Sequence, residues 1–73
     1  MEDGLALNRF LGENIARRRK DKGWSVRAFS ARTGLTRFAI SAVEHGAPAA
    51  TETLTRIADG LDTTVDALLR EDS

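Results

Sequence analysis

Residues 24–46 read WSVRAFSARTGLTRFAISAVEHG, a stretch with two short helical patterns separated by a glycine. Ser25 is a predicted N-cap, because its hydroxyl can accept a hydrogen bond from an amide of the first helical turn. Gly34 is expected to end the first helix in the left-handed conformation that glycine adopts at little cost. Thr36 is a second predicted N-cap, and the helix after it is expected to stop at Gly46. This spacing predicts a helix-turn-helix, a unit whose second helix enters the major groove of DNA.

One longer helical pattern precedes this unit. Apolar residues at helical spacing predict a first helix from about Leu7 to Asp21, which Gly23 ends. Residues 1–6 are expected to form a flexible arm. Trp24 lies in the link to the next helix, and we expect its indole to be partly buried, with stacking on a base as the less favoured alternative.

Two further helices are predicted after the unit. Thr51 is expected to cap a fourth helix. The apolar face of that helix consists of Leu54, Ile57, Ala58 and Leu61. Asp62 is expected to adopt the turn conformation that glycine would otherwise provide, and Thr64 to cap a short fifth helix. Since no segment has strand alternation, the sequence predicts an all-α five-helix bundle, with a helix-turn-helix domain over 7–70 and a polar tail over 71–73.

The charges of the chain are unevenly distributed, although the formal net charge of its 73 residues is zero. Residues 14–43 carry eight lysines and arginines against Asp21 alone, a net +7, whereas residues 1–13 sum to −2 and residues 44–73 to −5. A basic face opposite an acidic one can dock on phosphate while the whole molecule stays neutral. A solvated surface is the alternative interpretation of the basic run over 17–20.

Composition excludes several classes of function. A chain of this length forms one domain at most, and it has no cysteine, which removes disulfides, thiolate metal sites and thiol nucleophiles. With one histidine, no glycine-rich phosphate loop and no paired carboxylates beside a base, we expect no enzyme, metal, cofactor or small-molecule ligand. No apolar run is long enough for a signal peptide or a membrane span, so a cytoplasmic protein is expected.

Residues spread over about positions 11–69 form a recognisable pattern. They are Leu11-Gly12, Ile15, Arg19, Gly23, Ser25, Phe29-Ser30, Thr33-Gly34-Leu35-Thr36, Ile40-Ser41, Val43-Glu44-His45-Gly46, Leu54, Ile57-Ala58, Leu61 and Val65-Asp66-Ala67-Leu68-Leu69. This pattern resembles the XRE family, the phage repressor and Cro type of helix-turn-helix regulator. The resemblance implies a lambda-repressor-like five-helix bundle that binds operator DNA as a homodimer.

The resemblance also implies a buried ion pair between Arg19 on the first helix and Glu44 at the end of the third. The position of Glu44 supports this pair independently, because it follows the predicted core residue Val43 and a buried carboxylate needs a partner. The alternative is two exposed, unpaired side chains. Phe29 and Ile40 are the other predicted core residues of the helix-turn-helix.

Base-contacting roles carry over to a recognition helix at about 37–45. The resemblance implies that Arg37, Phe38, Ser41 and Ala42 face the bases. Arg37 can donate two hydrogen bonds to guanine O6 and N7. Phe38 either packs on a thymine methyl group or belongs to the core.

Other positions are expected to meet the DNA backbone. The implied phosphate contacts are the amides of Ser25, Val26 and Arg27 and the hydroxyl of Thr36. The side chains of Arg27 and Arg32 are also expected to reach the backbone. His45 is expected to occupy a helix C-terminal position or to contact a phosphate, rather than to bind a metal.

The sequence departs from the family pattern at a few positions. Val26 occupies a place where many relatives have a DNA-contacting glutamine, so it can offer only its backbone amide. Arg18 stands where an apolar residue is common, which predicts that this side of the first helix is exposed. Ala50 replaces a serine that often caps the fourth helix, and Pro48 is displaced from its usual position. These departures leave Arg37 as the main base-reading residue.

The first functional hypothesis is a sequence-specific transcriptional regulator, expected to act as a small stand-alone repressor or controller without a sensor domain. Its dimer surface is expected either around Val65 and Leu69 or around Leu5, Leu7 and Phe10. The second hypothesis is a protein-interaction module that keeps the fold without operator specificity. The zero net charge and the apolar residues of the third helix motivate this alternative.

Overall fold

The computed structural model describes residues 2–70, and every regular element in that part of the chain is a helix. The helices are α1 (Glu2–Asp21), α2 (Val26–Thr33), α3 (Arg37–Glu44), α4 (Thr51–Gly60) and α5 (Val65–Leu68). The predicted all-α, five-helix architecture is therefore confirmed over these residues. The predicted polar tail at 71–73 lies outside the described residues, as does Met1.

The N-terminal segment differs from expectation. Helix α1 begins at Glu2 rather than at about Leu7, so residues 2–6 extend the helix instead of forming a flexible arm. Apolar spacing marks only the part of a helix that packs on a core, and Leu11 and Ile15 are buried whereas Leu7 is 50% exposed. No proline precedes Leu7, so nothing in this sequence interrupts the backbone hydrogen bonds of the helix.

Side-chain caps fix where three of the helices begin. The hydroxyls of Ser25, Thr36 and Thr64 each accept a hydrogen bond from the backbone amide three residues further on, at 3.0 Å. Gly34 ends α2 with a φ of 79°, and Asp62 has a φ of 58° in the turn after α4. These predicted caps and turns are confirmed.

The start of α4 requires a correction. Ala50, not Thr51, is the N-cap of α4, and Thr51 is the first helical residue. Alanine carries no acceptor, so this helix begins without a side-chain cap. Burial of Ile57 and Ala58 against the other helices stabilises it instead, as tertiary packing does for most short helices.

The core lies where the five helices meet. Its buried apolar residues are Leu11, Ile15, Phe29, Ile40, Val43, Ile57, Ala58, Leu61 and Leu68. Helix α3 packs on α1 and α2, α4 packs on α2, and α5 packs on α4 and α1. The predicted core positions Phe29, Ile40 and Val43 are confirmed. The two helices of the helix-turn-helix are thus supported from α1 on one side and from α4 on the other.

Asn14 ties the end of the chain's described part to α1. Its side chain is buried, and its Nδ2 donates to the carbonyl oxygens of Leu68 at 2.8 Å and Arg70 at 3.0 Å. The Arg17 guanidinium in turn donates to Asn14 Oδ1 at 2.7 Å. The buried amide is therefore satisfied on both its nitrogen and its oxygen, as buried polar groups require.

Gly12 allows α1 to approach the C-terminal end of α3 closely. It is buried, and a Cβ atom at this position would meet the carbonyl oxygens of Val43 and Glu44, the second at 2.7 Å. Both neighbours are backbone atoms, which cannot rotate away as a flexible side chain can. The absence of a side chain at Gly12 thus sets the distance between α1 and α3.

Replacing Gly12 by alanine is expected to lower the free energy of unfolding by about 1–3 kcal/mol, because the added methyl group pushes α1 away from α3. In an unhindered helix the same change would stabilise the protein, since alanine is the better helix former. Urea unfolding followed by far-UV circular dichroism measures the difference. An alanine variant as stable as the parent, or more stable, would contradict the close approach.

Candidate nucleic-acid interface

Arg19 on α1 and Glu44 at the C-terminal end of α3 form a two-point ion pair. Arg19 Nε donates to Glu44 Oε2 at 2.7 Å, and Arg19 Nη2 donates to Oε1 at 3.0 Å. The two side chains are only 9% and 7% exposed. The hydrogen bonds to Glu44 raise the pKa of Arg19 above its ordinary value, although burial acts in the opposite direction. The ion pair implied by the family resemblance is therefore present.

The same guanidinium makes a third contact. Arg19 Nη1 donates to the backbone carbonyl of Trp24 at 2.8 Å, in the link that precedes α2. Helix α2 begins two residues later, at Val26, and Glu44 ends α3. The Arg19 side chain of α1 thus binds both the residue before α2 and the last residue of α3.

Helix α3 presents an outer face away from these buried contacts. The side chains of Arg37 and Phe38 are exposed, and those of Ser41 and Ala42, one turn further along, are half-buried. Ile40 and Val43 point into the core on the other side of the helix. The four residues expected to face bases are therefore on the accessible part of α3.

Phe38 is 83% exposed and lies outside the core cluster. The structure thereby excludes the core interpretation that the sequence left open. Neighbouring Ala39 is half-buried and Ile40 is fully buried, so the chain turns from solvent to core within two residues. This steep change follows from the helical rotation of about 100° per residue.

The side-chain cap of α2 leaves two backbone amides of the first helical turn without an acceptor. The capping bonds of Ser25 and Thr36 use the third amide of each helix, and the first two amides of α2, those of Val26 and Arg27, have no acceptor within the described residues. Val26 itself is half-buried and packs against the core, while the Arg27 side chain is exposed. The Val26 side chain thus packs on the core while its backbone amide stays without an acceptor, and its contact with a phosphate remains a prediction.

Arg32 contacts two other parts of the fold. Its Nε donates to the carbonyl of Gly60 at 2.7 Å, and its guanidinium lies 4.5 Å from the centre of the Trp24 ring. The Trp24 ring in turn stacks on Phe29, with centroids 5.9 Å apart, so the predicted partly buried indole is confirmed. The Nε of Arg32 thus already binds the C-terminal end of α4, but the side chain is 44% exposed, and its expected contact with the DNA backbone stays a prediction.

His45 caps the C-terminal end of α3. Its side chain is exposed, and Nδ1 lies 2.7 Å from the carbonyl oxygen of Ser41, where it can donate a hydrogen bond. The expected helix C-terminal position is confirmed.

Residues 15–68 match the sequence profile of the helix-turn-helix family HTH_3. The chain belongs to this family of XRE-type helix-turn-helix proteins. The match includes both helices of the unit and the Arg19–Glu44 pair. No curated protein sequence matches the chain.

Two solved structures resemble this family member. One is the crystal structure of the master regulator for biofilm formation SinR in complex with DNA, with a TM-score of 0.76 and 26% identity over 82% of this chain and 98% of that chain. The other is an HTH_3 family transcriptional regulator from Vibrio cholerae, with a TM-score of 0.83 and 26% identity over 94% of this chain and 39% of that chain.

Some structural roles in this HTH_3 domain were not predicted. Gly12 and Asn14 are buried on α1 beside its apolar core residues. A glycine and an amide among apolar residues are the sequence features that could have indicated these roles. Arg18, expected on an exposed side of α1, is half-buried, and its Nε is buried without a hydrogen-bond partner among the described residues.

Residues 2–70 contain neither a helix able to cross a membrane nor a cluster of metal-ligating side chains. No described helix has the length and apolar character needed to cross a membrane. In the same part of the chain, no three histidine, cysteine, aspartate or glutamate side chains come together as a metal site would require.

Replacing Arg19 by alanine is expected to lower the free energy of unfolding by about 3–5 kcal/mol, because the variant leaves the Glu44 carboxylate buried without a partner. Lys20 is the matched control, since it is the exposed neighbour on α1, and its alanine variant should change stability by less than about 0.5 kcal/mol. Chemical unfolding followed by Trp24 fluorescence compares the two. Equal stability of both variants would mean that the pair does not hold α3.

Proposed function

We propose that this protein is a sequence-specific transcriptional regulator that acts in the cytoplasm and binds operator DNA as a homodimer. The observation that carries the proposal is the exposed pair Arg37 and Phe38 on the outer face of the second helix of a helix-turn-helix. The resemblance to SinR, which was crystallised with DNA, supports DNA as the partner. In this arrangement the recognition helix, about 37–45, lies in the major groove.

Arg37 is the residue that we propose to read a base directly. It is exposed and forms no ion pair among the described residues, so its guanidinium donors are available. A guanidinium can donate to guanine O6 and N7 together, a geometry that discriminates against the other bases. Ser41 lies one turn further along, where its hydroxyl can meet a second base edge, and Ala42 offers apolar contact alone.

The DNA backbone would be held at the borders of this face. The free amides of Val26 and Arg27 point out of the N-terminal end of α2, where the helix dipole favours a phosphate. Thr36 accepts its capping bond through oxygen, so its hydroxyl hydrogen can still be donated. Arg27 and His45 add exposed side chains at the two ends of the unit. These contacts would position α3 without specifying sequence.

The charge distribution supports one orientation toward DNA. Residues 14–43 contain the C-terminal part of α1, all of α2 and α3 up to Val43, and they carry a net +7. Residues 44–73, which contain Glu44 at the end of α3 and all of α4 and α5, carry a net −5 from seven acidic residues and two arginines. A dipolar protein of zero net charge is still drawn to phosphate by its basic side. The acidic helices would then face away from the duplex.

We propose that α1 and α5 together form the dimer surface. Asn14 donates to the carbonyls of Leu68 and Arg70, so the C-terminal end of α5 lies against α1, the helix that carries Leu7 and Phe10. Leu69 is 40% exposed and Leu7 is 50% exposed. Leu7, Phe10 and Asn14 share a helix face, because they are spaced by three and four residues. A second copy of the chain would cover these apolar side chains.

A protein-interaction module on the same fold is the second candidate. Phe38 favours it, because an aromatic side chain that is 83% exposed can also anchor a protein partner. This candidate makes no use of the Arg37 guanidinium beside it. Loss of that guanidinium therefore separates the two functions.

Replacing Arg37 by alanine is expected to weaken binding to a specific duplex by about 1–3 kcal/mol and to relax specificity at one base pair. The duplex is obtained by selection from a random-sequence library with the parent protein. Affinity is then titrated at two salt concentrations, because phosphate contacts make it fall steeply with salt. Arg56→Ala is the matched control, since Arg56 is an exposed arginine on α4. This variant should bind the selected duplex as tightly as the parent does.

Three results would count against an operator-binding function. The parent protein would bind selected and random duplexes equally, or Arg37→Ala would bind as tightly as the parent, or Arg56→Ala would lose as much affinity as Arg37→Ala. In each case the outer face of α3 would not be reading sequence.

Replacing Leu69 by aspartate is expected to shift the protein from dimer to monomer, because a carboxylate would have to be buried against the second copy. Thr55→Asp adds the same charge to an exposed position on α4 and should leave the assembly unchanged. Sedimentation velocity of the parent and both variants measures the masses. A dimer that persists in Leu69→Asp would place the dimer surface elsewhere. A parent protein that is monomeric would rule out self-association.

A further inference from the structure

The outer face of α3 is divided into two adjacent stripes. Arg37 and Ser41 are four residues apart and form a polar stripe, while Phe38 and Ala42, also four residues apart, form an apolar stripe. The polar stripe can donate hydrogen bonds. The apolar stripe has no polar side-chain atom, so it can neither donate nor accept a conventional hydrogen bond.

Phe38 dominates the apolar stripe. It is 83% exposed, and neither aromatic stacking nor a cation over its ring occurs among the described residues. The free protein therefore leaves most of this ring in water, where burial of apolar surface is still available as a driving force for binding. The ring lies on the residue next to Arg37, whose exposed cation favours an anionic partner.

A DNA major groove offers one apolar group on the edges of its base pairs, the 5-methyl group of thymine. Resting on the proposed function, we propose that Phe38 recognises this methyl group at a position next to the guanine contacted by Arg37. The ring cannot sense the O4 or N4 atom beside the methyl group. The chemistry recognised is therefore a 5-methylpyrimidine, which includes 5-methylcytosine as well as thymine.

Two parallel selections test this assignment. One random-sequence duplex library is made with thymine, and the other contains uracil at every thymine position, which removes the 5-methyl groups and leaves all hydrogen-bonding atoms in place. The parent protein is expected to enrich a motif with a guanine and a neighbouring thymine from the first library. From the uracil library it should retain the guanine and lose the preference at the neighbouring position.

The variant Phe38→Ala provides the second arm. Because Phe38 is exposed, its removal should leave the fold intact, which circular dichroism checks. This variant is expected to show no preference at the neighbouring position in either library, while its preference for guanine persists. Arg37→Ala should show the reverse pattern.

Titrations with single duplexes give the size of the effect. Replacing the one thymine by uracil in one half-site should weaken binding by the parent about fourfold, the value expected for one buried methyl group. With cytosine at that position, methylation of its C5 should strengthen binding by a similar factor of about four. Both ratios should be close to one for Phe38→Ala.

The outcomes separate this inference from the proposed function. A motif that contains guanine and is the same in both libraries, or is unchanged in Phe38→Ala, would overturn the role of Phe38 and leave operator binding in place. Loss of a protein partner by Phe38→Ala with unchanged base preferences would likewise overturn it. If no motif is enriched from either library, both the inference and the proposed function fail.

Discussion

The three-point contact of the Arg19 guanidinium is the interaction on which the rest of the structure depends. It binds the Glu44 carboxylate through two nitrogens and the Trp24 carbonyl through the third. Burying two charges is expensive and is offset only when the geometry is good and hydrogen bonds accompany the pair, and here each of the three guanidinium nitrogens has an acceptor. A planar guanidinium with five donors is suited to this task, whereas a lysine ammonium could not match the fork of the carboxylate.

This contact separates the inward from the outward residues of the helix-turn-helix. With the C-terminal end of α3 held by Arg19 and set close to α1 by Gly12, the helix can bury Ile40 and Val43 in only one orientation. The orientation that buries them turns Arg37 and Phe38 to solvent. A small domain can therefore present a rigid binding face, because the same helix supplies both the core and the surface.

The sequence predicted what local chemistry determines. Capping by Ser25 and Thr36 and the turn at Gly34 depend on neighbouring residues, and all three were found as expected. Roles that depend on contacts across the fold were missed, such as the bond from Arg32 to the end of α4 and the close approach at Gly12. The exposure of Phe38 could not be predicted from the sequence, because an aromatic residue two positions before the core residue Ile40 fits either a core or a surface pattern. The base-reading roles themselves remain predictions.

We propose that the outer face of α3 and the start of α2 contact DNA. The most direct measurement is a nuclear magnetic resonance titration of the ¹⁵N-labelled protein with a short DNA duplex at low salt. We predict that amide shifts change over residues 25–27 and 36–45, while α4 and α5 stay unaffected except at a dimer surface. Amide shift changes centred on α4, or no change at any concentration of duplex, would contradict a DNA contact by α3 and the start of α2.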